Sequence, residues 1–255
     1  MENKAENIDL MAMVIDTHKF VADFNEVKIR NLIVELDMLL EDFEREVSIM
    51  YLSGNYSSNK HLCTTVLRGK TDDEIKSELE KAGVLADMFY IGKDAIHGCI
   101  GCGYCKKTGA GKCVNNDGRV NEFIELSKGY DGFVFGSPVH YAAGSAIITA
   151  FMDRVFYSGG TAFYNKPGAA ILSCRRGGAT ASLDQLNKYF MINRMPIVSS
   201  QYWNMVHGNK PEEVLQDAEG MQTMRTLARN MAWLLKCIEA GKENGVEIPE
   251  KEAPV

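Results

Sequence analysis

Short apolar runs alternate with longer amphipathic segments through most of the chain. Runs of strand length are centred on residues 47–52, 88–91, 131–135, 169–172 and 196–199. Between them, apolar residues recur every three or four positions, which is the spacing that buries one face of a helix. The alternation of strands and helices, closed by one long helix over residues 211–240, is typical of an open parallel sheet with helices on both faces. We therefore predict an α/β fold with five parallel strands.

The first 45 residues follow a different pattern. Apolar side chains recur mostly at three- and four-residue spacing from Leu10 to Phe43, and no proline or glycine interrupts them. This pattern predicts one or two amphipathic helices. We expect a helical extension over residues 1–45, which either packs on the main domain or acts as a dimerisation arm, and an α/β domain over residues 46–255.

Four unusual loops follow predicted strands. They begin at Ser53, Cys99, Gly136 and Ser173. In an open parallel sheet, ligands bind beyond the carboxyl ends of the strands, near the point where the strand order reverses. The first of these loops is rich in hydroxyl and amide side chains, which suits either phosphate binding or an ordinary polar turn. Together the four loops predict a ligand site at this edge of the sheet.

Four of the seven cysteines lie within residues 99–113, spaced C-x2-C-x2-C-x7-C. The short gaps let neighbouring sulfur atoms converge on one centre, although the fourth cysteine is farther away than in ferredoxin-like runs. Three interpretations are open. They are a four-iron, four-sulfur cluster, a structural zinc ion, and a reduced, metal-free loop beside an active site. The ligands in the first two cases would be Cys99, Cys102, Cys105 and Cys113.

Composition and charge narrow the class of protein. The chain is 45% hydrophobic and 24% charged, with a net charge of −6. These values are typical of a soluble globular protein and argue against binding to nucleic acid or to anionic membranes. No apolar run is long enough to span a bilayer, and the N-terminus lacks the pattern of a signal peptide. Cysteines that are clustered rather than paired predict a reducing, cytoplasmic location.

Four segments of the chain are distinctive: GCIGCGYC at 98–105, FGSPVHY at 135–141, FMDR at 151–154 and SCRRGG at 173–178. Through these segments the chain resembles the flavodoxin-like NADPH-dependent FMN reductase family, and within it the iron–sulfur flavoproteins. The resemblance covers roughly residues 46–240. It implies a flavodoxin-like, doubly wound, five-stranded parallel sheet and FMN as the cofactor. The resemblance leaves the cluster open, because similar cysteine runs occur in the wider family without an established cluster.

The resemblance also implies three FMN-binding loops. The first would bind the phosphate through Ser53, Gly54, Asn55, Ser57, Ser58, Asn59 and His61. The second would pass close to the isoalloxazine ring and comprises Ser137, Pro138, Val139, His140 and Tyr141. The third would place a guanidinium where it stabilises negative charge on the reduced flavin, and comprises Ser173, Arg175, Arg176, Gly177 and Gly178. No catalytic side chain is expected, because the flavin carries the chemistry.

Three functions remain open. The sequence favours an FMN-dependent oxidoreductase that passes electrons from NAD(P)H or a protein donor to a small-molecule acceptor, such as a quinone, a flavin or a metal ion. The second is an iron–sulfur flavoprotein electron carrier with a ferredoxin-like partner, and the third is a non-enzymatic flavin-binding redox sensor. We also expect a homo-oligomer, either a dimer or a tetramer.

Overall fold

The computed structural model describes residues 48–53, 70–91 and 94–252. In these ranges the strands are β1 (Ser48–Ser53), β2 (Leu85–Tyr90), β3 (Gly132–His140), β4 (Ala143–Gly144), β5 (Gly168–Cys174) and β6 (Met205–His207). The α-helices are α1 (Lys70–Lys81), α2 (Tyr104–Thr108), α3 (Val120–Ser127), α4 (Ala146–Gly159), α5 (Ala179–Ile192), α6 (Pro211–Val214) and α7 (Ala218–Glu243), and a 3₁₀ turn covers Gly160–Phe163. The helical extension predicted over residues 1–45 lies outside the described residues and stays a prediction.

The strand order identifies the type of sheet. The main sheet has the order β2-β1-β3-β5-β6, and the short strand β4 pairs only with β3. With β4 set aside, this is the order of flavodoxin-like sheets, in which the chain changes direction of winding between β1 and β3. The predicted α/β, flavodoxin-like fold class is therefore confirmed.

The direction of β1 differs from the prediction. Ser48 lies opposite both Tyr90 of β2 and Gly136 of β3 in antiparallel register, whereas β3 pairs with β5, and β5 with β6, in parallel. Four strands, β2, β3, β5 and β6, thus run in one direction, and the prediction of five parallel strands is wrong. An apolar run indicates a buried strand, but its pattern is the same in either direction.

The last strand of the sheet also lies elsewhere than predicted. Residues 196–199 contribute a single bridge, between Ile197 and Gly168, and the strand itself is β6. After the bridge the chain turns away toward α7, where the Ser200 hydroxyl donates to the Thr223 carbonyl over 2.6 Å. Strand β6 has three residues and ends in an exposed histidine, His207, so its hydrophobic pattern is too short to predict a strand.

The predicted final helix over residues 211–240 is two helices, α6 and α7. Asp217 separates them, because its carboxylate accepts the Gly220 N–H at 2.9 Å and caps the first turn of α7. The same carboxylate accepts the N–H of His207 at 2.7 Å. A side-chain cap satisfies N–H groups that have no partner within the helix, and it marks a helix start.

Helices cover both faces of the sheet. On one face, the ring of Phe123 in α3 packs against five other phenylalanines, at centroid distances between 5.2 and 6.4 Å, which are Phe89, Phe133, Phe135, Phe151 and Phe163. Successive strand residues point to opposite faces. Val134 lies between Phe133 and Phe135 in the sequence of β3 and therefore faces the other side of the sheet. Because Val134 is also buried, helices cover that face as well. This is the layering of a doubly wound fold.

None of the helices within the described ranges is both long and apolar enough to cross a lipid bilayer.

Candidate functional site

The second and third predicted loops leave neighbouring strands at the same edge of the sheet. Ser137 of β3 is paired with Leu172 of β5, and Pro138 is paired with Ser173. Residues 137–141 and 173–178 therefore lie side by side at the carboxyl ends of β3 and β5. Open α/β sheets bind ligands at this edge.

The first predicted loop is placed differently. Because β1 is reversed, Ser53 at its carboxyl end lies opposite Leu85, the first residue of β2. The structure therefore does not bring Ser53 to the edge that carries the other two loops. Residues 54–61 lie outside the described ranges, and the phosphate-binding role of residues 53–61 stays a prediction.

A strained turn ends the second loop. Tyr141 and Ala142 join β3 to β4, with His140 paired to Ala143. Their φ angles are 50° and 61°, as a type I′ hairpin turn requires. Residues other than glycine, asparagine or aspartate seldom adopt this conformation, which costs roughly 1–2 kcal/mol per residue. The turn leaves the Tyr141 ring entirely exposed above the edge of the sheet.

Gly178 brings the second and third loops into contact. It has a φ of +95°, and a Cβ atom there would lie 2.4 Å from the Ala142 Cα and 3.0 Å from a Val139 methyl. Only glycine accommodates both this backbone conformation and this distance. Residues 137–142 and 173–178 therefore form one continuous surface, which we call the paired-loop surface.

Two residues of the paired-loop surface point inward. Ser137 is fully buried; its hydroxyl donates to the Pro138 carbonyl at 2.8 Å and accepts the Ser145 N–H at 3.0 Å. Cys174 is also buried. Burial raises the pKa of the Cys174 thiol, and this outweighs the lowering by the Ala179 and Arg176 N–H groups. Both side chains shape the loops rather than present reactive groups.

The exposed part of the paired-loop surface is positively charged. It carries Arg175 and Arg176 and no carboxylate. Both arginines line an open groove at the carboxyl ends of β5 and β6, together with the carboxylates of Glu213 and Asp217. The Glu213 carboxylate already accepts the Asn209 N–H at 2.7 Å. Two guanidinium groups beside closely spaced backbone suit an anionic, planar ligand.

The four clustered cysteines line a single pocket. Its walls are Cys99, Cys102, Cys105 and Cys113, with Arg154, Tyr157 and Ser158 of α4. Cys99 and Cys102 are exposed, whereas Cys105 and Cys113 are half-buried. Within the described ranges, no three histidine, cysteine, aspartate or glutamate side chains are grouped closely enough to hold a metal ion. The structure brings the cysteines around one pocket but does not form a closed metal site.

The two ends of the cysteine-bearing segment are hydrogen-bonded to each other. We call residues 97–117 the cysteine loop. The Asp117 carboxylate accepts the His97 N–H at 2.7 Å, and the His97 ring Nδ1 lies 3.0 Å from the same oxygen. Next to this pair, Gly118 has a φ of +61°, and a Cβ atom there would lie 2.3 Å from the side chain of Ile96. The two ends of the loop are thus held together at its base.

Arg154 binds the cysteine loop from α4. Its side chain has no exposed surface. The guanidinium donates to Asp117 Oδ1 at 2.6 Å and to three further acceptors: the carbonyls of His97 at 3.2 Å and Asn115 at 2.5 Å, and Cys113 Sγ at 3.3 Å. Burial would raise the pKa of Asp117, but the His97 N–H, the His97 ring and Arg154 outweigh it and hold that pKa well below its ordinary value.

Asn121 of α3 binds the same cysteine through the backbone. Its Oδ1 accepts the Cys113 N–H at 2.8 Å, and its Nδ2 donates to the Cys113 carbonyl at 3.0 Å. Sequence reasoning missed this residue and also the role of Arg154. Arg154 lies in the FMDR segment that carries the family resemblance, which was its only signal. For Asn121 the sequence contains no comparable signal.

Comparisons with known proteins agree with this architecture. A model of the NADPH-dependent FMN reductase family matches residues 48–210. An iron–sulfur flavoprotein of Methanocaldococcus jannaschii is 29% identical over 174 residues, which are 65% of this chain and 89% of that protein. An iron–sulfur flavoprotein of Methanosarcina thermophila is 25% identical over 169 residues, covering 64% of this chain and 85% of the relative.

Among solved structures, a flavodoxin from the domain Archaea is similar with a TM-score of 0.44 and 13% sequence identity, over 65% of this chain and 88% of that one. The family match extends over more than half of this chain and includes both the paired-loop surface and the cysteine loop. The chain therefore belongs to the NADPH-dependent FMN reductase family.

Proposed function

We propose that this protein is an FMN-dependent oxidoreductase that passes electrons from NAD(P)H, or from a protein donor, to a small-molecule acceptor. Family membership and the iron–sulfur flavoprotein relatives indicate the broader class, a flavin-dependent oxidoreductase or electron carrier. The observation that carries the proposal is the contact between Gly178 and Ala142, which joins the loops after β3 and β5 into one surface. That surface lies beside the change in winding between β1 and β3, where flavodoxin-like sheets bind FMN.

The residues of the paired-loop surface fit FMN. The backbones of Ala142 and Gly178 are close enough to form a shallow wall against a flat ring, and the exposed Tyr141 ring is free to stack on it. Arg175 and Arg176 supply positive charge for the anionic form of the ring. FMN, when bound, supplies reversible transfer of one or two electrons. The protein's part is to hold the ring, to exclude water from one face and to balance charge.

The cysteine loop fits an iron–sulfur cluster in its donor chemistry. Four thiols are the usual ligand set of a four-iron cluster. The N–H that Arg154 directs at Cys113 Sγ is the kind of hydrogen bond that tunes such clusters. The cluster, when bound, supplies one-electron transfer. Since zinc takes the same four thiolates, a zinc ion is the competing occupant that a metal analysis must distinguish.

The cysteine pocket specifically favours a second function, an electron carrier that exchanges electrons with a ferredoxin-like partner. In that case the cluster and the flavin would exchange electrons with protein partners, and the protein would not reduce a small-molecule acceptor catalytically. The relatives named as iron–sulfur flavoproteins support this alternative.

Anaerobic reduction and reoxidation of the purified protein test the proposal. NADH, NADPH and reduced ferredoxin are offered as donors, and a quinone, free flavin and a ferric chelate as acceptors. We expect NADH or NADPH to reduce the bound flavin and at least one small acceptor to reoxidise it repeatedly. Exchange with ferredoxin alone would favour the electron carrier. Stoichiometric flavin without turnover would favour a redox sensor, and failure to bind FMN would overturn the proposal.

A further inference from the structure

We propose that Arg154 is the positioning residue of the cysteine loop, and that its buried guanidinium sets Cys113 in place as the fourth thiol of the pocket. In the sequence, Cys113 is separated from Cys105 by seven residues, which is a long gap for a shared metal centre. The structure contains contacts that compensate for this gap. The functional consequence of the inference rests on the cluster proposed above, whereas its structural part can be tested without it.

The bonds of Arg154 are directed to one segment. Its four acceptors all belong to the cysteine loop, at residues 97, 113, 115 and 117. Among the described residues, it is the one lysine or arginine whose side chain is buried. A guanidinium presents five N–H groups in a rigid fork, so it can bond several acceptors that a lysine ammonium cannot span.

The buried charge of Arg154 favours the closed form of the cysteine loop. A buried cation is stable only with a partner, and removal of one member of a buried ion pair is far more costly than the pair is stabilising. The partner of Arg154 is Asp117, which lies on the loop itself at 2.6 Å. If the loop opened, Arg154 would lose its anion and all four acceptors together. The closed loop is therefore coupled to the packing of α4.

Contacts from two helices converge on Cys113. Asn121 of α3 holds its backbone with two hydrogen bonds, and Arg154 of α4 holds its sulfur atom. By contrast, Cys99 and Cys102 are exposed, and the Cys105 thiol has only a long contact of 4.0 Å to the Tyr157 carbonyl. Of the four cysteines, Cys113 thus has the most hydrogen bonds to the helices of the domain.

The test compares Arg154→Met and Arg154→Lys with a matched control, Arg225→Met. Arg225 pairs with Glu74 at 2.8 Å between α7 and α1, away from the cysteine loop. Three quantities are measured in each full-length variant. They are hydrogen–deuterium exchange of the peptide that contains Cys113, with a β5 peptide as the monitor of global unfolding; iron and sulfide per chain after anaerobic reconstitution; and FMN per chain.

For Arg154→Met we expect roughly tenfold faster exchange in the Cys113 peptide, since a charged hydrogen-bond network has been removed. Exchange in β5 and the FMN content should stay at the level of the control, and most of the iron should be lost. Arg154→Lys should recover part of the protection. If Arg154→Met fails to fold, Arg154→Lys provides the test, because its ammonium keeps the charge but cannot span all four acceptors, and its Cys113 peptide should still exchange faster than that of wild type.

Unchanged exchange in the Cys113 peptide of the Arg154 variants would overturn the inference. Equal loss of protection in β5 would also overturn it, because Arg154 would then stabilise the domain as a whole. If wild-type protein takes up no iron, the cluster proposal fails, but the exchange measurement still decides whether Arg154 positions the loop.

Discussion

Arg154 Nε and Cys113 Sγ lie 3.3 Å apart, and this contact links the cysteine loop to helix α4. The same helix starts beside the paired-loop surface, because the N–H of its cap residue Ser145 donates to Ser137. Arg154 lies nine positions after Ser145, which corresponds to about 14 Å of helix. One helix thus contacts both candidate sites, so a displacement of α4 would affect the paired-loop surface and the cysteine loop together.

Replacement of Gly178 by alanine should separate the two loops of the paired-loop surface. The added Cβ would lie 2.4 Å from the Ala142 Cα, and the alanine would have to adopt a φ of +95°. We expect a loss of about 3 kcal/mol in unfolding free energy, together with weaker FMN binding, as measured by urea unfolding and flavin titration. Gly177→Ala is the matched control, since its Cβ would meet nothing within 4 Å. Equal effects of the two substitutions would contradict the contact.

Removal of either loop arginine should weaken FMN binding. Arg175→Ala and Arg176→Ala each delete a cation from the paired-loop surface, and we expect an increase in Kd of about tenfold for each. Fluorescence titration of the flavin-free protein with FMN measures the effect. Arg225→Ala removes a cation elsewhere, in the ion pair with Glu74, and should leave the Kd unchanged. A similar increase in all three variants would count against the loop assignment.

Asp117→Asn should destabilise the protein in a pH-dependent manner. Because the pKa of Asp117 is depressed in the folded state, its stabilisation is complete above the unfolded-state pKa of about 3.9 and is lost as the pH falls through the folded-state value. At pH 7 the variant should lose about 3 kcal/mol, since Arg154 is left buried without an anion. Unfolding free energies of wild type and variant, measured over a series of acidic pH values, should converge as the pH falls. A difference that stays constant with pH would contradict the role of the Asp117 charge.

The four cysteines of the pocket should behave as one unit toward iron. Replacement of Cys99, Cys102, Cys105 or Cys113 by serine should remove most of the iron, because each thiolate neutralises part of the cluster charge. FMN should be retained, since its proposed contacts come from other loops. Iron and flavin per chain in anaerobically reconstituted variants provide the measurement. Cys237→Ser, at an exposed position on α7, is the control, and a Cys113 variant with full iron would exclude Cys113 as a ligand.

The sequence predicted most of the fold because buried strands and amphipathic helices each leave a local pattern. Strands β2, β3 and β5 lie where apolar runs predict them. Three features were not predictable in this way. The reversal of β1 depends on strand pairing, the shift of the last strand to β6 depends on contacts with α7, and the division of the final helix depends on the cap at Asp217.

The candidate site was predictable in part for a similar reason. Loop composition and family resemblance identified the residues of the paired-loop surface and the cysteines, although their roles as ligands of FMN or of a metal remain predictions. Contacts between distant positions could not be found, because Arg154 and Cys113 are 41 residues apart in the sequence, and no local pattern joins them. The expected homo-oligomer and cytoplasmic location also remain predictions.

We expect a single chain to hold FMN at the paired-loop surface and a cluster at the cysteine loop. To test this, the protein is purified anaerobically, its flavin is released and identified by mass, and iron and sulfide are assayed on the same sample. We expect one FMN and about four iron atoms per chain. Recovery of FAD, or of no flavin after addition of excess FMN, would contradict the proposed function, and zinc in place of iron would contradict the cluster.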